Sequence, residues 1–141
     1  MFGGQMATEL ENNQEALLTL AKQNFKRWND ALLTKNPEEV ARLYTPNNSF
    51  LPTLSPDFHH GHQGAENYFE HFLAKNPEGI VVTESVHYLS DKAYLHSGFY
   101  DFEVGPDDQR EVVHARFTFG WQLIDGEWQI FHHHSSLVPT K

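Results

Sequence analysis

The sequence predicts an α+β fold, with helices packed on a curved, mainly antiparallel sheet. Three observations carry that prediction. Capped segments with helical spacing are confined to roughly the first 79 residues. Beyond them the pattern changes to runs rich in β-branched and aromatic residues, and turn signals separate those runs at short intervals. Helices gathered ahead of a strand meander describe a layer of helix on sheet rather than alternating βαβ units.

The elements follow in order. Thr8 and Glu11 have the spacing of a capping box, so a helix is expected after them. Leu17, Leu20, Ala21, Trp28 and Leu32 recur on one face of that helix. Asn36-Pro37-Glu38-Glu39 starts a second helix, with Asn as N-cap, Pro at the first helical position and acids against the dipole. It is expected to end near Tyr44, before the turn cluster Thr45-Pro46-Asn47-Asn48. Ser49 to Leu54 reads as a short strand held to an edge by Pro52. The segment from Ser55 to Gly64 reads as a loop, and Ala65 to Lys75 as a helix stopped by Asn76-Pro77-Glu78-Gly79. Four strands are expected next, over Ile80–Leu89, Ala93–Val104, Arg110–Ile124 and Glu127–Val138. Asp125-Gly126 between the last two is the strongest short hairpin signal in the chain.

Composition narrows the function classes. Ten basic residues against nineteen acidic ones give a net charge of −9, so the basic footprint of a nucleic-acid binder is missing. The chain has no Cys, which removes disulfides, thiolate metal sites and a Cys nucleophile. No apolar run is long enough to span a bilayer, and Met1 to Leu10 lacks the features of a signal or transit peptide. A cytoplasmic protein without a membrane partner is expected.

His132-His133-His134-Ser135-Ser136 is the densest cluster of polar chemistry. In a regular strand successive side chains alternate between faces. His132, His134 and Ser136 are then expected on one face with Trp128 and Ile130, and Phe131, His133 and Ser135 on the other. Three adjacent histidines cannot all ligate one metal from such a strand. His59, His60 and His62 are the remaining metal candidate, since imidazole suits Zn, Cu and Ni, but without a sharp ligand spacing a polar surface loop accounts for them better. No metal and no cofactor are expected. Arg116 has Glu103 or Glu111 available as ion-pair partners, and Trp121 and Trp128 are expected to pack in the sheet or at a subunit interface.

Several stretches together carry a family resemblance: WNDALLTKNPEEVARLY at 28–44, FLPT at 50–53, YFEHFL at 68–73 and ARFTFGWQLIDGEWQIFHHHSSLVP at 115–139. They resemble the calcium/calmodulin-dependent protein kinase II association domain, which has the cone-shaped nuclear transport factor 2-like fold. No kinase domain accompanies them in this sequence. The resemblance implies one such domain over 15–141, preceded by a tail and helix start at 1–14. The Leu-Pro-Thr element at 51–53 and the His-His-His-Ser-Ser run resemble most closely the iota-class carbonic anhydrases. In the kinase domains an Arg stands at the position of Ser135, a pocket His at Tyr68 and a pocket Arg near Tyr100, so a basic pocket becomes one of neutral hydroxyls.

That resemblance implies a lyase that hydrates carbon dioxide reversibly to bicarbonate, without metal. Thr53, Tyr68 and Ser135 would be catalytic with His133 as base, while Thr53, Tyr68, Tyr100 and Ser135 would bind the substrate. It also implies a homodimer or higher homo-oligomer. Two other function classes remain open: a non-catalytic oligomerisation or small-ligand-binding module, and isomerisation in the cone with Asp57 or Asp101 as base.

Overall fold

The computed structural model describes residues 10–140. Thr8 of the expected capping box lies outside them. Helix α1, Gln14–Leu33, is instead capped by Asn13, whose side chain accepts from the Ala16 N–H at 2.9 Å. It buries Leu17, Ala21, Asn24, Phe25, Trp28 and Leu32, which includes most of the face read from the sequence. Helix α2, Pro37–Ala41, has the expected Asn36 cap, bonded to the Glu38 N–H at 3.0 Å.

Six strands follow: β1 Tyr44–Leu51, β2 His59–His60, β3 Glu78–Ser90, β4 Ala93–Val104, β5 Glu111–Ile124 and β6 Glu127–Leu137. Helix α3, Gly61–Phe72, lies between β2 and β3 and tightens into a 3₁₀ turn at Leu73–Lys75. The strands form one mixed sheet in the order β2-β1-β6-β5-β4-β3. Among the described residues only the β1–β6 pair is parallel. The four long strands fall within two residues of their expected bounds, and Asp125 and Gly126 take the positive φ angles, 51° and 80°, of a tight hairpin turn.

Three expectations are corrected. Thr45-Pro46-Asn47-Asn48 does not precede the first strand but lies inside it. The register to β6 slips between Tyr44 and Ser49, and Asn48 bonds back to the Thr45 carbonyl at 2.8 Å, so the turn chemistry makes a bulge. The expected loop from Ser55 to Gly64 contains the two-residue strand β2 and the first turn of α3. The strict alternation expected for β6 also fails.

The failure in β6 decides what enters the core. Gly120 of β5 pairs with His132, but Trp121 pairs with Ile130, so Phe131 is an extra residue in the ladder. Trp128 packs on buried Tyr94 at 5.2 Å between ring centroids. Ile130, His133 and Ser135 are buried, whereas Phe131 is only half-buried. Phe131 therefore leaves the face of His133, and its ring lies where a Gly120 side chain would stand, 2.6 Å from a β-carbon built there. The core lies between α1, α3 and the inward face of the sheet, around Trp28, Tyr44, Phe50, Phe69, Tyr100 and Phe119. No described helix is long and apolar enough to cross a membrane.

Candidate active site

A cavity of about 240 Å³ opens between α1, α3 and the strands, with Trp28, Phe50, Phe69, Phe72 and Phe102 as much of its wall. Thr53, Tyr68, Tyr100, His133 and Ser135, all five residues expected at the site, line it. Different elements supply them. Tyr100 comes from the inward row of β4, and His133 and Ser135 come from β6 after its bulge. Tyr68 projects from α3, and Thr53 follows β1. Leu54, next to Thr53, has φ 67°. That left-handed backbone costs a residue with a β-carbon about 1–2 kcal/mol, so packing and hydrogen bonds must hold this turn in place.

The polar end of the cavity is one connected chain. The Trp28 indole N–H donates to the Tyr44 hydroxyl at 3.1 Å, and that hydroxyl lies 2.8 Å from His133 Nδ1. On the other side of the ring, His133 Nε2 is 3.2 Å from the Tyr100 hydroxyl, which donates to Ser135 Oγ at 2.5 Å. Ser135 Oγ and Thr53 Oγ1 are hydrogen-bonded to each other. The Tyr68 hydroxyl stands outside this chain and donates to the Thr53 backbone carbonyl at 3.0 Å.

The surroundings keep the chain neutral. The His133 ring stacks on Phe119 at 4.1 Å and on Phe50 at 5.0 Å. Burial, followed by the neighbouring His132 and His134, holds its pKa well below the usual histidine range. Burial raises the phenols of Tyr44, Tyr68 and Tyr100, the first despite its bond from Trp28 and the last despite its bond to Ser135. They remain protonated donors at neutral pH. The charged side chains on the lining, Lys75 and Glu111, are exposed.

The other sequence candidates are placed elsewhere. His59 Nε2 is 3.1 Å from Ser55 Oγ, His62 Nε2 is 2.7 Å from the Tyr44 carbonyl, and His60 packs on exposed Phe58. Among the described residues, no three His, Asp or Glu side chains are gathered as a metal-binding group. His132 bonds to Ser49 and His134 is exposed. Asp57 is exposed, and Asp101 bonds His114 at 2.7 Å, so neither lines this cavity as an isomerase base would. Arg116 bonds Ser136 at 3.2 Å instead of pairing with Glu103 or Glu111. Trp121 is fully buried in the sheet.

Sequence reasoning missed Tyr44 and the polar role of Trp28. Trp28 was visible as a core residue, but nothing in the spacing links its N–H to a phenol sixteen positions away.

The model of the calcium/calmodulin dependent protein kinase II association domain matches residues 20–139, and the chain belongs to that family. A Xanthomonas campestris protein provisionally described as such an association domain is 38% identical, with 86% of this chain and 87% of that one covered and a TM-score of 0.83. A nuclear transport factor 2-like protein of unknown function from Pseudomonas putida is 18% identical over 89% of each chain, with a TM-score of 0.71. A Streptomyces avermitilis protein provisionally described as a dehydratase of that fold is 14% identical over 91% of this chain and all of its own, with a TM-score of 0.77. At such identities the last two show the fold alone. No curated protein matches the sequence.

Proposed function

We propose that this protein hydrates carbon dioxide reversibly to bicarbonate, as an iota-class-like carbonic anhydrase, at the hydroxyl end of the cavity and without a resident metal. The supporting observation is the neutral chain from His133 through Tyr100 and Ser135 to Thr53. Carbon dioxide is uncharged and loses little hydration on entering a cavity walled by aromatic rings.

Ser135 and Thr53 carry two hydroxyl protons, and their mutual bond uses one. With Ser135 donating to Thr53, the Thr53 proton can go to a carbon dioxide oxygen while the remaining Thr53 lone pair accepts from an attacking water. The water oxygen bonds to carbon as one C=O π bond opens. The water passes a proton to the hydroxyl, and the hydroxyl passes its own to the former carbonyl oxygen. Carbonic acid leaves and ionises to bicarbonate in bulk water. No charge accumulates in the buried site, where it would be costly.

His133 takes part through Tyr100 rather than by direct contact with water, because both its nitrogens already face phenols. Tyr68 holds the Thr53 carbonyl and so positions the Thr53 hydroxyl. Family membership also supports association of copies of this chain. Ile80, Phe99 and Val112, exposed apolar residues on β3, β4 and β5, are ones such contacts would cover.

The test is a hydration assay on chelator-treated protein beside Ser135→Ala. Positioned proton transfer contributes roughly 10²–10⁴-fold, so the variant should lose about two orders of magnitude while the parent keeps its rate after chelation. Pure parent protein with no rate above buffer would overturn the reading.

A further inference from the structure

We infer that Trp28 and Tyr44 fix the direction of the hydrogen-bond chain, so that the polar end of the cavity donates to a neutral carbonyl-type oxygen carried on an apolar body. The indole N–H has no lone pair and can only donate, so the Tyr44 oxygen accepts from it. Among the described residues the Tyr44 hydroxyl bonds to Trp28 and His133 alone. Its own proton therefore goes to His133 Nδ1.

That ring nitrogen is then an acceptor, and in the neutral imidazole the proton sits on Nε2. Nε2–H donates to Tyr100, in agreement with Tyr100 donating onward to Ser135. Each hydroxyl passes the same sense along, so Ser135 donates to Thr53 and the last proton, on Thr53, is left for a ligand. A single donor-only indole thus determines what the far end offers.

A ligand must bring an acceptor to that end. A carboxylate would bring a charge as well, and the cation on the lining, Lys75, is an exposed residue with no place in the buried hydrogen-bond chain. The body of the cavity is aromatic and large. A water molecule's share of liquid volume is about 30 Å³, so about 240 Å³ admits a ring-sized organic molecule and not only a gas. The inference concerns the same polar end as the hydration reading but does not require that reaction.

The test has two arms, both independent of turnover. Long-range ¹H–¹⁵N correlation spectra of the labelled protein at neutral pH should show His133 protonated on Nε2 and bare on Nδ1. Tyr44→Phe should abolish that single-tautomer signature. Calorimetry with acetophenone and benzoate, alike in size but neutral and charged, should show acetophenone binding and benzoate weaker by at least about tenfold. A proton on Nδ1, an unchanged tautomer in Tyr44→Phe, no binding of acetophenone, or benzoate binding equally well would each overturn the inference. The wild-type spectra and the ligand pair decide it even if the variant does not fold. Either arm can fail while hydration is measured, and hydration can fail while both succeed.

Discussion

At the scale of single residues, Tyr68 and Ser135 have different tasks although both present hydroxyls to one cavity. Ser135 lies within the chain, accepting from Tyr100 and bonded to Thr53. The Tyr68 proton is already committed to the Thr53 carbonyl, and burial keeps it on the oxygen by raising the phenol pKa. If the proposed hydration is measured, Tyr68→Phe should therefore lower its rate less than Ser135→Ala does. It should cost about 0.5–1.5 kcal/mol of stability for one hydrogen bond, read by denaturant unfolding. A loss as large as that of Ser135→Ala, with no stability change, would instead assign the Tyr68 hydroxyl to the substrate. The residues that line this cavity were legible in the sequence because the resemblance singled out Thr53, Tyr68, Tyr100, His133 and Ser135 together. Their hydrogen-bond order was not, since it depends on Trp28 and Tyr44 meeting across sixteen residues.

At the scale of elements, one bulge sets the inward row of β6. Without Phe131 as the extra residue, Ile130 and His133 would lie on opposite faces. Gly120 makes room for the Phe131 ring, because a β-carbon there would stand 2.6 Å from it. Gly120→Val should therefore destabilise the protein by about 1–3 kcal/mol, the usual cost of overpacking. Adding Phe131→Ala should return part of that loss, because the two residues compete for one space. Additive losses in this double-mutant cycle, read by thermal unfolding, would contradict the mechanism. The long strands and their turns were legible because β-branched and aromatic runs alternate with Gly, Asp and Pro signals. The bulges were not. Alternation assumes an unbroken ladder, and here a tertiary contact between Gly120 and Phe131 interrupts it. The Thr45-Asn48 cluster is a related case: its turn chemistry is present, with Asn48 bonded back to the Thr45 carbonyl, but parallel pairing of the flanking residues with β6 absorbs it into a strand.

At the scale of the whole molecule, stability should be acid-sensitive because the fold encloses histidines in their neutral form. His133 and His96 are almost wholly buried, and burial lowers the pKa of each. The groups facing His133 are the phenols of Tyr44 and Tyr100, with His132 and His134 beside it, and none is a carboxylate that would favour a cation. His96 does have Glu84 on Nε2 at 3.0 Å, with Lys22 4.0 Å from that carboxylate, but its buried Nδ1 has no partner among the described residues. A protonated His96 would need an acceptor there. Below the ordinary histidine pKa of about 6.5, the unfolded chain takes up protons that the folded chain refuses. The sign follows: this stability is complete above about pH 6.5 and is lost as the pH falls towards the depressed folded values. A fully excluded proton contributes a slope approaching 1.4 kcal/mol per pH unit for each such histidine. The net charge of −9 acts in the opposite direction, since proton uptake relieves self-repulsion. At 0.15 M salt, however, exposed charges more than about 8 Å apart are largely screened, so the buried histidines should dominate. Denaturant unfolding at that ionic strength should show stability level between pH 7 and 8 and falling between pH 6.5 and 5.5, before most carboxylates titrate. A flat profile through the lower window would mean that His133 and His96 accept protons within the fold, which their surroundings oppose.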